Sequence, residues 1–306
     1  MIKKEDLRIV FFGTPQFAVE SLRLIIENNY NVVAVITAPD KPAGRGYQLR
    51  MSAVKQFALN QQIPVLQPTN LKSDEFINDL KNYQAQLQIV IAFRILPLVV
   101  WNMPPLGTFN LHASYLPNYR GAAPINWAVI NGEKETGVTT FFLKHEIDTG
   151  SIILQEKTEI LPNENAGILH DKLMIQGADL VVKSLNKILE EDYSLQPQME
   201  GEFPHARKIF TEQCKIDWNN KAVQVHNLIR GLSPYPAAFT SYNDKSLKIF
   251  DTEMTSEIIS NTGSFEIRNK NEFLVNCADY KLKIISLQPE GKKRMSAIDF
   301  LNGLRN

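Results

Sequence analysis

The chain has 306 residues, 44% hydrophobic and 22% charged, with 33 basic side chains balancing 33 acidic ones. That mix excludes a disordered or collagen-like chain, and at roughly 150 residues per domain the length predicts two domains. Two cysteines, Cys214 and Cys277, are too few for a disulfide framework, no Cys/His spacing suits zinc, and no run approaches the ~18 apolar residues of a membrane span.

The first 150 residues predict strand–helix alternation. Leu7–Phe12 is a short apolar run ending at Gly13, followed by Phe17, Val19, Leu22, Ile25 and Ile26 at helical spacing. Val32–Ile36 is a β-branched run. A helix is expected at 52–60, a short strand at Val65–Leu66, another helix at 73–82, and strands at 87–92 and 108–111. Continuous rather than alternating apolar strands imply a parallel sheet covered on both faces, hence an α/β domain. A long amphipathic helix is expected over 169–189. The stretch 195–206, with two prolines and a glycine, is expected to be a linker between a domain at 1–194 and another at 207–306. In the second domain a helix at 221–232 precedes five short strands near 238–242, 247–250, 264–267, 273–276 and 282–287, a pattern that suggests a small barrel.

Charge is uneven. Residues 1–205 carry 18 basic and 22 acidic side chains, and residues 206–306 carry 15 and 11, so the net charges are −4 and +4. A basic second domain is suited to an anionic partner, although an ordinary solvated surface accounts for it equally well. Met1–Asp6 leads into only a short apolar run, Ile9–Phe12, which is no signal-peptide core. The expected location is the cytoplasm, where two thiols stay reduced.

Three segments could carry chemistry. In Thr108-Phe-Asn-Leu-His112 the strand period of two sends Asn110 and His112 to one face, about 6–7 Å apart. A reacting carbonyl could lie between them, with the Asn amide as a fixed donor and the imidazole as proton donor or acceptor. The following Ser114-Tyr-Leu-Pro117 stops the strand, and in an open α/β sheet the ligand crevice lies outside such ends. On its own, His112 is more often a structural histidine. Asp148-Thr-Gly150 is also the aspartic-protease triplet, but it occurs once and lacks the second carboxylate such enzymes need. Asp148 is better suited to orienting His112. The loop Pro39-Asp-Lys-Pro-Ala-Gly-Arg-Gly46 cannot be regular structure, and Lys41, Arg45 and Arg50 could reach a phosphate backbone unless the loop is simply surface. Further basic residues stand at Arg207-Lys208 and Lys292-Lys-Arg294. Gly13-Thr-Pro-Gln-Phe17 is not a dinucleotide fingerprint, which disfavours a nicotinamide or flavin enzyme.

Taken together, Asn110-x-His112, Ser114–Pro117 running into Arg120-Gly-Ala-Ala-Pro124, and Asp148-Thr-Gly150 resemble the catalytic domain of the 10-formyltetrahydrofolate-dependent formyltransferases. Gly13–Phe17, the loop 39–46, Ile216-Asp-Trp218, Leu232–Pro236 and 287–297 are similar to the branch of that family that acts on tRNA, so the resemblance runs over nearly the whole chain. Tyr115 departs from the usual Ser-Leu-Leu-Pro, and Ala92–Pro97 is one residue shorter than the usual stretch.

The resemblance implies a Rossmann-like catalytic domain followed by a small C-terminal OB-like β-barrel domain. It implies 10-formyltetrahydrofolate as donor, methionyl initiator tRNA as acceptor and no metal. It gives the catalytic roles to Asn110, His112 and Asp148, part of the folate site to Ser114, Tyr115, Leu116 and Pro117, and tRNA contacts to Lys41, Arg45 and Lys208. A monomer without membrane attachment is expected. Two alternatives remain open at this point, a small-molecule formyltransferase acting on an aminosugar or ribonucleotide amine and a non-catalytic tRNA-binding protein.

Overall fold

A computed structural model describes residues 3–43, 48–258 and 261–304. Contacts along the chain gather into two compact units. One comprises Met1–Arg120, Gly137–Thr158 and Asp171–Pro204, the other Gly121–Thr136, Glu159–His170 and His205–Asn306.

The first unit is organised around Arg8–Gly13, whose last five residues are buried. A strand buried on both faces has to sit inside a covered sheet. It pairs in parallel with Asn31–Ile36 on one side and Leu87–Ile91 on the other. Val65–Leu66 extends the sheet beyond Asn31–Ile36, and Thr108–His112 extends it beyond Leu87–Ile91, both again parallel. Glu135–Phe142 runs antiparallel beside Thr108–His112, and Ile152–Glu159 forms the edge. Alternate side chains serve opposite faces. Val10, Phe12, Ala34, Ile36 and Val90 pack with Phe76 and Leu80 of the helix Asp74–Asn82. On the other face Leu111 meets the helix Ala166–Glu190 at Gly177, where an added Cβ would come within 2.7 Å of Leu111 Cδ2.

Helix starts follow capping chemistry. Ser52 accepts from Lys55 N to open Ala53–Asn60, and Ser73 accepts from Phe76 N to open Asp74–Asn82. The hairpin formed by Glu135–Phe142 and Ile152–Glu159 is not among the predicted elements. Its first strand reads Glu-Thr-Gly-Val-Thr-Thr-Phe-Phe, and Thr136, Thr139 and Thr140 are buried. The strand therefore rests on β-branched threonines, with the Thr139 and Thr140 hydroxyls bonded and the Thr136 hydroxyl not, a pattern invisible to a count of apolar residues.

The second unit holds the predicted helix, observed at Ala222–Leu232, and the five predicted strands. They lie in the spatial order Ala238–Tyr242, Lys245–Ile258, Tyr280–Pro289, Glu272–Asn276, Phe265–Arg268, each neighbouring pair antiparallel. Lys245–Ile258 is far longer than expected, at 14 residues, and breaks register against its partner at three places. Such bulges let one long strand bend and twist. Val225, Ile229 and Leu232 of the helix close the core over Leu247, Ile249, Phe273, Leu282 and Ile284. A short helix absent from the prediction, Ala297–Gly303, is capped by Ser296 and brings Phe300 against Tyr242 and Phe273.

His226 is buried in this unit, with Nδ1 2.9 Å from Thr252 Oγ1. Burial, and then the charge of Arg230, hold its pKa below the usual value of 6.5, against smaller opposing effects from Asp251 and the Pro162 backbone. The unfolded chain therefore binds the proton first as pH falls, and stability declines from about 6.5 downward through the lowered folded pKa, by at most about 1.4 kcal/mol per pH unit for this one group. Thermal melts at about pH 7.5 and about pH 5.5 should show a loss of stability that is smaller in His226→Gln than in the wild type.

Candidate active site

The strand Thr108–His112 has partners on both sides, so its pleat is fixed. With Leu111 held against the helix at Gly177, Asn110 and His112 must project from the opposite face. Asn110 is half-buried, and His112 is buried with 6% of its surface exposed. His112 Nε2 lies 2.8 Å from the carbonyl oxygen of Tyr119. A carbonyl can only accept, so Nε2 carries the hydrogen and donates it. The remaining ring nitrogen, Nδ1, faces Asp148 Oδ2 at 3.9 Å. That is too long for a direct hydrogen bond, but it sets the carboxylate beside the ring nitrogen. The structure thus brings Asn110, His112 and Asp148 to one side of a strand end.

Asp148 has φ 56°, a left-handed conformation that aspartate tolerates better than most residues. Two features fasten its turn. Gly150 packs so tightly that a Cβ there would sit 1.6 Å from the carbonyl oxygen of Phe142. Gln198 Nε2 donates to the carbonyls of both Asp148 (2.8 Å) and Gly150 (2.9 Å).

The turn after the strand, Ser114–Pro117, is bound from the neighbouring hairpin. Thr139, which stands opposite His112 in the ladder, donates its hydroxyl to Ser114 O (2.7 Å) and accepts from Leu116 N (3.1 Å). Gln155 Nε2 donates to Leu116 O and to the same Thr139 hydroxyl. The Ser114 hydroxyl donates to Asn118 O, and Ser114, Leu116 and Pro117 are buried. Side chain and backbone of these three residues are therefore held inside the turn, with Ser114 and Leu116 bonded to Thr139 and Gln155. The Leu116–Pro117 peptide is cis. Tyr115 alone is half-exposed, with Lys157 Nζ 5.3 Å from its ring centre.

The remaining candidates lie elsewhere. Lys41 is exposed in Lys41–Ala43, which pairs with Gln48–Arg50. Arg45 lies outside the described residues. Before that loop, the Asp40 carboxylate accepts from Lys55 Nζ (2.5 Å) and Gln67 Nε2 (2.8 Å), and chiefly the Lys55 bond holds it below the usual carboxylate range. Lys208 is exposed in the second unit, 5.3 Å from the Phe210 ring centre. Beside it Arg207 stacks on Trp127, whose indole donates to the Arg207 carbonyl. Among the described residues no group of three or more His, Cys, Asp or Glu is placed to hold a metal ion.

Sequence reasoning missed Thr139, Gln155 and Gln198. Recognising the threonine-rich strand would have put Thr139 beside His112. Nothing local marks Gln198, which falls in the expected linker. As a whole the site offers an amide donor, an imidazole and a carboxylate at the mouth of an open sheet, the equipment for transferring an acyl-type carbon between nitrogens.

The family model described as formyl transferase matches residues 7–185, and the one described as formyl transferase, C-terminal domain, matches residues 208–305. A methionyl-tRNA formyltransferase of Bacteroides fragilis is 53% identical over 312 aligned positions, covering 99% of this chain and 96% of its own. Another from Flavobacterium johnsoniae is 52% identical, covering 98% and 97%. A solved N-formyltransferase from Helicobacter canadensis, in complex with folinic acid and dTDP-3-aminofucose, shares the fold at a TM-score of 0.68 and 24% identity, over 92% of this chain and 98% of its own.

The packing of Gly150 yields a stability test. Gly150→Ala forces a methyl group into a backbone carbonyl that cannot yield as a side chain would, so the loss should reach the upper end of overpacking costs, about 3 kcal/mol, in urea unfolding. A change below about 0.5 kcal/mol would show that the turn has slack.

Proposed function

Because this chain belongs to the formyl transferase family, we propose that it transfers the formyl group of 10-formyltetrahydrofolate to the α-amino group of methionyl initiator tRNA. The observation that carries this reading is the likeness to methionyl-tRNA formyltransferases, above 50% identity along almost the entire chain. The arrangement of Asn110, His112 and Asp148 at one strand end supports it. A small-molecule acceptor has weaker support, since the likeness to the aminosugar enzyme is one of fold.

In this reading the donor presents an activated formyl carbon, the methionyl amine forms a new N–C bond to it, and the bond to N10 breaks as N10 gains a proton and the amine loses one. The Asn110 amide donates to the formyl oxygen as negative charge develops there, and its interior strand keeps it aimed without reorganisation. His112 moves the proton through Nδ1, since Nε2 is held by the Tyr119 carbonyl. Asp148 stabilises the positive charge that appears on the ring during that transfer. The fixed turn Ser114–Pro117, with the half-exposed Tyr115, lies next along the chain and suits an edge of the folate site. Lys41, Arg45 and Lys208 supply positive charge for tRNA phosphates, with Arg207–Trp127 and Lys208–Phe210 as neighbouring cation–aromatic pairs. Residues 1–194 form the catalytic domain, 195–206 the linker, and 207–306 an OB-like tRNA-binding domain. The enzyme works as a monomer in the cytoplasm, and no described helix is long and apolar enough to cross a membrane.

Labelled 10-formyltetrahydrofolate, offered with charged initiator tRNA, uncharged tRNA and methionyl elongator tRNA, should label only the first. Absence of label on any tRNA would defeat the reading. In the same assay His112→Ala should lower kcat by about 10²–10⁴ and Asn110→Ala by about 10²–10³ with unchanged unfolding curves. Lys208→Ala and Arg45→Ala should instead raise KM for tRNA several-fold, leave KM for the folate unchanged and weaken the dependence on salt.

A further inference from the structure

The segment 195–204 reads as a polar connector, and its residues are mostly exposed, yet Gln198 is half-buried and fully bonded. Its Nε2 donates to the Asp148 and Gly150 carbonyls, while its Oε1 accepts from Arg120 Nε (2.9 Å) and Nη2 (2.5 Å). This leaves no ambiguity about which way the amide points. A guanidinium can only donate and carbonyls can only accept, so only one orientation satisfies both ends. On either side, the same segment is tied to the sheet unit. Gln196 exchanges two backbone hydrogen bonds with Ile152, and the Pro204 carbonyl accepts from Tyr119 N.

The bonds from this segment lead to both members of the His112–Asp148 pair. The Gln198 amide clamps the turn on which Asp148 stands in a left-handed conformation. The Pro204 carbonyl holds the peptide of Tyr119, whose own carbonyl fixes His112 Nε2. The 3.9 Å between Nδ1 and the carboxylate is longer than a direct hydrogen bond, so the turn that carries Asp148 helps to set their spacing.

From this geometry we infer that Gln198, oriented by Arg120, is a positioning residue for formyl transfer, fixing the carboxylate of Asp148 relative to His112. It acts through Asp148 and touches neither substrate. The inference rests on the transfer reading above for its kinetic consequence, and on the structure alone for its geometric one. Misplacement of a catalytic group by about an ångström costs up to on the order of 10²-fold in rate.

Two variants test it. Gln198→Met removes the amide at similar length. Gln198→Glu keeps an oxygen for Arg120 but can no longer donate to the two carbonyls. Both should lower kcat about 10–100-fold while KM for the folate and for the charged tRNA stays within about twofold. In an Asp148→Asn background, Gln198→Met should cause no further loss, because its effect runs through the carboxylate. Nitrogen-15 NMR of the His112 ring reads the geometry without turnover, and both variants should shift its Nδ1 resonance. Retention of kcat within twofold, a loss additive to that of Asp148→Asn, or an unchanged His112 spectrum would each overturn the assignment. If the wild type labels no tRNA, the transfer reading fails, and the His112 spectrum still decides the role of Gln198.

Discussion

The pleat of one five-residue strand, Thr108–His112, governs the placement of everything that follows. Because Leu111 is pressed against the backbone of the long helix at Gly177, the strand cannot slip by one residue without driving a polar side chain into that contact. Asn110 and His112 are thereby committed to the other face, and the parallel neighbour on one side and antiparallel neighbour on the other leave the strand no freedom to twist away. An amide and an imidazole that stabilise developing charge work best when they need not reorganise, and an interior strand supplies that rigidity.

Around this fixed pair the other contributors are loops, and loops need ties. The turn 114–117 is tied by Thr139 and Gln155 of the antiparallel hairpin, and the Asp148 turn by close packing at Gly150 and by Gln198. The ties are side-chain amides and hydroxyls bonded to backbone carbonyls or amides, interactions worth roughly 0.5–1.5 kcal/mol each. Individually they are modest. Several converging on two short turns hold geometries that the turns would not keep unaided, including the left-handed residue that presents the carboxylate.

What could be read beforehand follows the same division. The parallel core strands were legible because burial on both faces leaves a continuous apolar run, as in Ile9–Phe12 and Ile89–Ile91. Asn110 and His112 could be assigned to one face from the period of two alone. Asp148 became a partner for His112 through its triplet and the family resemblance, for no rule of spacing connects positions 36 residues apart. Thr139 and its strand were hidden because threonine does not register as apolar, although its branched side chain suits a strand. Gln198 was hidden more deeply. Its local sequence is that of a connector, and its partners at 120, 148 and 150 are adjacent only after folding. The short helix at 297–303 escaped notice because only Ala297 and Leu301 of it are buried, too few for a visible period.

The ties to 198 and 204 also impose an order in time. A chain made from its N-terminus has the sheet and the long helix against it, through Glu190, before it has the segment that steadies the His112–Asp148 pair. At about 5–20 residues per second the intervening residues take roughly 0.7–3 s to appear. During that interval the nascent sheet unit can fold around its apolar strands while its Asp148 turn still lacks the clamp. The apolar core and the ties on the Asp148 turn are therefore separate events in the making of this chain, and the second arrives with a polar connector rather than with the core.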